Sequence, residues 1–270
     1  MNRLVIWREE CDAQGQVTLT GRRAEHIRTI LKCTPGDTLR AGFANECMAV
    51  GTVLEVGMET CVVNVREAPD EPMPPPPRMD VLLALPRPRF LERILPQLPP
   101  LGVRNIYLCG ADRVEKSFFG SQLLKRENYL PVLVEGVEQS GGVHVPGLRV
   151  ERNLRRLLGD LPQDYACKLL AHPETEVAPT PSHVIASGAK QHPSTGGKLN
   201  VAAPLLVAIG CEGGWTERER AWMDEAGFAR FSLGERILRT DTASVAILAV
   251  AGWMANAPQT MPFCHISPPP

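Results

Sequence analysis

The sequence lacks several features that would quickly define its class. Its eight cysteines form no C-x-x-C pair, which argues against a metal site. Its formal net charge is −1, so overall basicity gives no argument for nucleic-acid binding. No stretch is long enough to span a membrane without charge or proline, and the first residues contain no apolar signal-peptide core. These absences indicate a reduced, cytoplasmic protein without a metal.

The composition is that of a globular protein with a hydrophobic core. The chain has 270 residues, 44% of them hydrophobic, which suits one large domain or two modest ones. Four consecutive prolines within 71–79 favour an extended, semi-rigid linker that holds two domains at a distance. We therefore predict one domain over 1–70, a second over 80–257 and a disordered tail over 258–270.

The segment 1–70 alternates short apolar runs with turn signals, the pattern of a small antiparallel barrel. One helix over 21–32 is predicted to interrupt the strands, with Ile27, Ile30 and Leu31 on one face. The predicted strands are 4–7, 16–19, 38–41, 47–56 and 60–65.

Beyond residue 80, strands alternate with helices, which predicts a parallel sheet covered on both faces. The segment 174–203 is rich in proline, threonine, serine and glycine, which favours a long surface loop. The predicted elements before that loop are strand 81–85, a helix from about residue 89, strand 104–109, a helix over 123–139 and strand 168–171.

Two glycine-rich turns near the C-terminus are the best candidates for a ligand site. The first, 210–214, follows the apolar run 205–209, and the second covers 233–240. Turns that follow the strands of α/β proteins are where such proteins bind ligands.

Each turn leads into a predicted helix. Thr216 and Glu219 form the pattern of an N-terminal capping box, and Gly227 can adopt the left-handed conformation that ends a helix, so we predict a helix over 217–226. The segment 240–256 is apolar nearly all round. We expect it to be a helix buried in the core or against a second subunit.

The two turns also carry a resemblance to a known family. Residues 209–219 spell I-G-C-E-G-G-W-T-E-R-E, and residues 233–243 spell L-G-E-R-I-L-R-T-D-T-A. Both resemble blocks of the SPOUT methyltransferases, specifically the bacterial small-subunit ribosomal RNA methyltransferases that modify N3 of uridine. The family has proline at the position of Cys211 and glutamate at that of Asp241. The segment 24–37 resembles the PUA-like RNA-binding domain with which the same family begins.

The resemblance implies an α/β trefoil-knotted methyltransferase domain preceded by a small PUA-like β-barrel. It implies that S-adenosylmethionine lies in the knot, that the protein is a homodimer and that its substrate is 16S ribosomal RNA in the small ribosomal subunit. The backbone of three loops would hold the cofactor. The corresponding residues are Ala171, His172, Pro173, Ile209, Gly210, Gly213, Gly214, Leu233, Gly234, Ile237, Leu238 and Thr240.

Methylation of uridine N3 requires removal of a weakly acidic proton and stabilisation of the negative charge left on the base. Arginine suits the second task because its planar fork pairs with base oxygens or phosphate. Arg239 and Arg236, in the second turn, are the catalytic candidates, and Glu212 is a candidate to orient the substrate or take the proton. Glu212 equally fits a structural role, because an acidic residue just before a helix interacts favourably with the helix dipole.

Other polar residues have two interpretations each. Arg22, Arg23, His26 and Arg28 are candidates for RNA-backbone contact, but acidic residues balance the basic ones over 1–70, so they equally fit a solvated face. His172 has the chemistry of a general base, but a loop histidine that shapes the backbone is the favoured interpretation.

Three positions depart from the family pattern. Gln97 and Pro100 replace a lysine and a glutamate, and prolines there must end or bend the preceding helix. Gly142 replaces an arginine in a segment that handles a polyanion.

A non-catalytic or differently targeted knotted RNA-binding protein or ribosome assembly factor is therefore the alternative. A Rossmann-type methyltransferase is disfavoured, because the L-P-R-P run at 85–88 is no glycine-rich turn.

Overall fold

A computed structural model describes residues 1–173 and 204–256. The predicted surface loop over 174–203 and the predicted tail over 258–270 lie outside the described residues. Two β-sheets organise the described chain, one before and one after the proline-rich segment.

The N-terminal sheet has five strands that curl around their own apolar core. Its order is β1-β3-β4-β5-β2, and every pair is antiparallel except β1 with β3, which run parallel. The strand positions are as predicted, but the expectation of a wholly antiparallel barrel was wrong. The chain crosses the sheet between β1 and β3, through β2 and a helix, and so enters β3 in the direction of β1. The strands are β1 (Leu4–Ile6), β2 (Gln16–Thr20), β3 (Thr38–Phe43), β4 (Cys47–Val56) and β5 (Thr60–Glu67).

The predicted helix over 21–32 is shorter and less regular than expected. Helix α1 (Gly21–Glu25) continues as a wider π-helical turn over His26–Ile30. Ile27 is buried, but Ile30 is 67% exposed and Leu31 is 42% exposed. The three side chains predicted to lie on one face therefore differ in burial, because the wider turn changes the spacing that a regular helix imposes.

The C-terminal sheet has six parallel strands in the order β11-β9-β10-β6-β7-β8. Every residue of the two central strands, β6 and β10, is buried, as expected for strands covered on both faces. The elements are β6 (Met79–Ala84), α2 (Pro88–Ile94), β7 (Val103–Cys109), α3 (Arg126–Ser140), β8 (Gly147–Glu151), α4 (Leu154–Asp160), β9 (Cys167–Ala171), β10 (Leu205–Ile209), α5 (Glu217–Glu225), β11 (Phe228–Phe231) and α6 (Thr240–Asn256).

The prolines after α2 have the predicted effect. The helix ends at Ile94 and continues only as a short 3₁₀ turn over Leu95–Gln97. A Cβ on Gly136 of α3 would lie 2.4 Å from the carbonyl oxygen of Pro96, so the proline segment packs directly on that helix. The departures at Gln97 and Pro100 therefore belong to a locally consistent packing arrangement.

The two helices after the glycine turns also match their predictions closely. Thr216 accepts a hydrogen bond from the Glu219 backbone N, the Glu219 carboxylate accepts one from the Thr216 backbone N, and Gly227 has a φ of 83°. Helix α6 buries one face, which includes Ile247 and Leu248. Its opposite face exposes the apolar side chains of Val245, Ala249 and Trp253.

The N-terminal unit contacts helix α3 of the C-terminal unit directly. The backbone N–H groups of Asn2 and Arg3 donate to the Glu138 carbonyl at 2.8 and 3.1 Å. The buried Glu138 carboxylate accepts hydrogen bonds from Arg22 and from the Val5 backbone. The expectation that the linker holds the domains at a distance was therefore wrong. The linker starts close to the first sheet, because Glu71 forms an ion pair with Arg3 at 2.5 Å.

Candidate functional site

A cavity of about 510 Å³ lies where three loops of the C-terminal sheet meet. The loops follow β9, β10 and β11, so they gather at the C-terminal end of parallel strands, where such sheets bind ligands. All twelve residues predicted from the resemblance to hold a cofactor line this cavity. Arg236, Arg239 and Glu212 line it too, so the structure brings the predicted cofactor and catalytic residues together.

The floor of the cavity at the first turn is bare backbone. A Cβ on Gly210 would lie 3.1 Å from the Gly214 Cα, and a Cβ on Gly213 would lie 2.9 Å from the Arg113 side chain. Gly214 has a φ of 68°, and Gly234 in the second turn has a φ of 124°. Glycine is therefore required at these positions by close approach or by backbone conformation.

A buried carboxylate fixes the first turn to the rest of the sheet. Glu219 is 1% exposed, and it accepts hydrogen bonds from the backbone N–H groups of Asp112 at 2.6 Å and Thr216 at 2.8 Å. Asp112 in turn accepts hydrogen bonds from the Thr216 hydroxyl at 2.9 Å and from Arg218 at 2.7 Å. The Thr216 hydrogen bond and the Arg218 guanidinium lower the pKa of Asp112, despite an opposing effect of burial. The loop after β7 and the start of α5 thus form one connected unit.

Eight further residues line the cavity and were not predicted as site residues from the sequence: Phe90, Arg113, Cys211, Trp215, Phe231, Ser232, Ala243 and Ile247. The Arg113 guanidinium donates to the Gly213 carbonyl and covers the first turn. Arg113 follows strand β7, so the rule that selected the two glycine turns applied to it as well. Trp215 lies inside 209–219, the first block that carries the family resemblance. Phe90 lies on α2, where no nearby motif in the sequence marked a site.

Arg239 is held at the rim of the cavity by two contacts. Its guanidinium carbon lies 5.1 Å from the centroid of the Phe90 ring, and its Nη2 lies 3.3 Å from Asp241 Oδ2. The same oxygen lies 3.5 Å from Arg93 Nη1. Burial raises the pKa of Asp241, but the Thr242 backbone hydrogen bond and the two arginines outweigh it, so the net pKa is lowered. The carboxylate is therefore ionised near neutral pH and joins α2 to the start of α6.

Glu212 and His172 both connect loops around the cavity. Glu212 Oε1 accepts a hydrogen bond from the Arg87 backbone N at 3.1 Å, while the residue stays exposed. The His172 backbone N donates to the Phe231 carbonyl at 3.1 Å, and its Nε2 lies 3.0 Å from Arg220 Nη1. These contacts agree with the interpretation of His172 as a residue that shapes its loop.

The four candidates for RNA contact lie on α1 and the turn after it, not around this cavity. Arg22 forms an ion pair with Glu138, and Arg23 forms one with Glu10 at 2.5 Å. Burial, together with the positive charges of the N-terminus and Arg22, lowers the pKa of His26. Arg28 is exposed.

The described ranges contain no helix long and apolar enough to cross a membrane. Within the same ranges, no three histidine, cysteine or acidic side chains are grouped as metal ligands would be, and the seven cysteines there are all free.

Comparisons with known proteins agree with this geometry. The model of the RNA methyltransferase domain family matches residues 73–252. A ribosomal RNA small subunit methyltransferase E of Treponema pallidum (strain Nichols) is 28% identical over 263 residues, which cover 94% of this chain and 91% of that protein. The enzyme of the same name from Bacillus subtilis (strain 168) is 25% identical over 260 residues, which cover 93% of this chain and 95% of that protein. The crystal structure of another, from Neisseria gonorrhoeae with S-adenosyl methionine bound, superposes with a TM-score of 0.70 at 21% identity, covering 93% of this chain and 96% of that one.

Proposed function

This chain belongs to the RNA methyltransferase domain family, and from that premise we propose that it transfers a methyl group from S-adenosylmethionine to N3 of a uridine in 16S ribosomal RNA. The observation that carries the proposal is the cavity built by three loops at the ends of parallel strands, with arginines at its rim. The names of the Treponema and Bacillus relatives support ribosomal RNA of the small subunit as the substrate.

The residues around the cavity fit the proposed cofactor. A volume of about 510 Å³ lies within the range of roughly 300–1,000 Å³ that is usual for small-molecule sites. Gly210, Gly213 and Gly214 place no side chain in the first turn, so an adenosine group can approach its backbone on the side that Arg113 does not cover. When bound, S-adenosylmethionine supplies an electrophilic methyl group on a sulfonium that is a good leaving group.

We assign the electrostatic part of catalysis to Arg239, with Arg236 beside it. Methyl transfer to N3 requires the base to lose a proton and carry negative charge, and a guanidinium at the rim stabilises that charge. Phe90 and Asp241 support this role, because they hold the Arg239 guanidinium in place before substrate binds. Glu212 is proposed to orient the substrate or take the proton from an exposed position on the cavity wall.

We further propose that the C-terminal domain is a trefoil knot and that the N-terminal sheet is a PUA-like RNA-binding domain. The path of the chain supports a knot. Strand β11 lies at one edge of the sheet, and the helix that follows it, α6, returns to pack against the central strand β10 and against α2. The predicted domain boundaries, 1–70, 71–79 and 80–257, are kept as part of this proposal.

Among the RNA-contact candidates, Arg28 is the one that we place first. Arg22 and Arg23 are already paired with glutamates, so they would have to exchange partners to bind phosphate. The lowered pKa of His26 makes this side chain neutral at physiological pH, which weakens any attraction to phosphate.

A homodimer is proposed through the exposed face of α6, at Val245, Ala249 and Trp253. An apolar stripe on a helix surface is typical of a subunit interface. Light scattering at micromolar concentration tests this, and a monomer would contradict it. We place the protein in the cytoplasm, with the small ribosomal subunit as its partner.

The decisive experiment measures binding and transfer on one preparation. Calorimetry should show one S-adenosylmethionine site per chain, and tritiated methyl groups should enter small subunits or 16S ribosomal RNA that lack the modification. Mass spectrometry of the digested RNA should then show 3-methyluridine. Absence of cofactor binding would overturn the proposal. Cofactor or RNA binding without transfer would instead favour the assembly factor.

A further inference from the structure

Trp215 places a buried hydrogen-bond donor at the wall of the cavity. Its side chain is 2% exposed and belongs to the residues that line the cavity. Its indole Nε1 has no acceptor among the part of the chain that the structure describes. Buried polar groups almost always have a hydrogen-bond partner, because burying an unpaired donor costs folding free energy.

The position of this nitrogen relates it to the glycine floor. A Cβ on Gly210 would lie 3.3 Å from Trp215 Nε1 and 3.1 Å from the Gly214 Cα. The donor therefore lies against the glycine backbone of the first turn, which lines the cavity. Indole nitrogen donates only, so an acceptor atom is the partner it requires.

We propose that the Trp215 indole N–H donates a hydrogen bond to S-adenosylmethionine. This cofactor offers carboxylate, hydroxyl and ring-nitrogen acceptors, any of which satisfies an indole donor. The inference rests on the proposed function, because it assigns a binding residue for the cofactor of that same reaction. Trp215 then contributes affinity through one polar contact in addition to its packing in the core.

The variant Trp215→Phe isolates the donor, because phenylalanine keeps an aromatic ring in the core and removes the N–H. Calorimetry should show S-adenosylmethionine binding weakened about threefold to tenfold, the size of one hydrogen bond. The smaller ring also leaves space in the core, so the melting temperature without cofactor should fall modestly. A tryptophan that acts only through packing would show unchanged cofactor affinity, so affinity is the measurement that decides.

Trp222→Phe is the matched control. Trp222 lies on α5, where its ring contacts Arg155 at 5.7 Å and Arg218 at 5.2 Å, and it is not part of the cavity lining. We expect this variant to bind S-adenosylmethionine with wild-type affinity.

A spectroscopic readout on the wild-type protein does not depend on how well the variant folds. The chain has four tryptophans, so a nitrogen-15 spectrum contains four indole signals. The signal lost in Trp215→Phe identifies Trp215, and comparison with Trp222→Phe confirms the assignment. S-adenosylmethionine should move its proton resonance downfield more than the others.

The outcomes separate the two proposals. If wild-type protein does not bind S-adenosylmethionine, the proposed function itself fails. If wild-type and Trp215→Phe bind it equally well, or if the Trp215 indole signal does not move, only the assignment of Trp215 is overturned.

Discussion

The two glycine-rich turns that enclose the cavity differ in how firmly the protein holds them. The first, 210–214, is followed by the buried Trp215, is covered by Arg113 and is tied through Glu219 to the loop after β7. The second, 233–240, presents apolar side chains at the surface: Ile237 is 84% exposed, Leu233 40% and Leu238 39%.

This difference indicates a division of roles within one site. The first turn is preorganised, because Arg113, Glu219 and the packing of Trp215 hold it in place. The second turn carries the arginines and exposes apolar surface, so we expect it to gain contacts when cofactor, RNA or a second protomer covers it. Variants that disturb each turn separately can test this division.

The largest effect is expected at the glycine floor. Gly210→Val crowds Gly214 and Trp215, so cofactor binding should be abolished. At Gly234 a new Cβ would meet open space, but the φ of 124° there is unfavourable for valine. Gly234→Val should therefore lose cofactor binding through backbone strain. Calorimetry with S-adenosylmethionine measures both. Gly159→Val, in α4 with no close neighbour, is the control, and full binding by the Gly210 and Gly234 variants would refute the expectation.

Arg239→Ala should reduce methyl transfer and leave cofactor binding nearly unchanged. We expect methyl transfer to fall roughly a hundredfold or more, the size of a lost electrostatic stabiliser, with cofactor affinity within a few fold of wild type. Arg239→Lys should rescue poorly, because lysine lacks the two-pronged geometry. Tritiated methyl incorporation and calorimetry on the same preparation measure the two effects. If methyl transfer and cofactor affinity fall in proportion, Arg239 is a structural residue, and Arg236 or Glu212 takes its proposed catalytic role.

Glu219→Ala tests whether the buried carboxylate holds the first turn in place. It leaves the buried backbone N–H groups of Asp112 and Thr216 without their acceptor, so the free energy of unfolding should fall by about 2–4 kcal/mol. Urea denaturation measures the change. Glu217→Ala, on the same helix but with a side chain 95% exposed, should change stability by no more than about 0.5 kcal/mol. Equal effects of the two substitutions would show that the buried carboxylate does not brace the turn.

The smallest effect is expected for Asp241→Asn. The exposed Arg239 would lose its ion pair but keep its contact with Phe90, so transfer should fall only about twofold to fivefold. The same change in an Arg239→Ala background should have no further effect on transfer, since the two residues would act as a unit. Additive losses would mean that Asp241 acts independently of Arg239. Asp224→Asn, which removes a comparable ion pair with Arg230, is the control.

Local chemistry made much of this fold predictable from sequence. The capping box at Thr216 and Glu219, the left-handed Gly227 and the bounds of α6 depend on residues a few positions apart, and all are found. The two glycine-rich turns marked the region of the cavity, because loops that follow parallel strands meet at one end of the sheet, whereas the twelve individual cofactor residues came from the resemblance.

The features missed by the sequence analysis depend on partners far apart in the chain. The contact of Glu138 on α3 with Arg22 on α1 and Val5 on β1 joins the two parts of the chain and left no local pattern. The short edge strands β8 and β11 have no long apolar run, so hydrophobic periodicity did not select them. Arg113 had a signal, its place in the loop after β7, where Gly110 directly follows the strand, but that single glycine does not make a glycine-rich turn.

The position of β10 between β6 and β9 has a consequence for how the polypeptide folds during synthesis. Strand β6 ends at Ala84, and its neighbour β10 is not complete until Ile209. At ribosomal elongation rates of about 5–20 residues per second, a delay of roughly 6–25 s separates the two. Throughout that interval one edge of a strand with five apolar residues out of six has no partner. Because such pairings between distant segments form slowly, we expect refolding to be slow and sensitive to aggregation, and early chaperone capture to raise the yield of native protein.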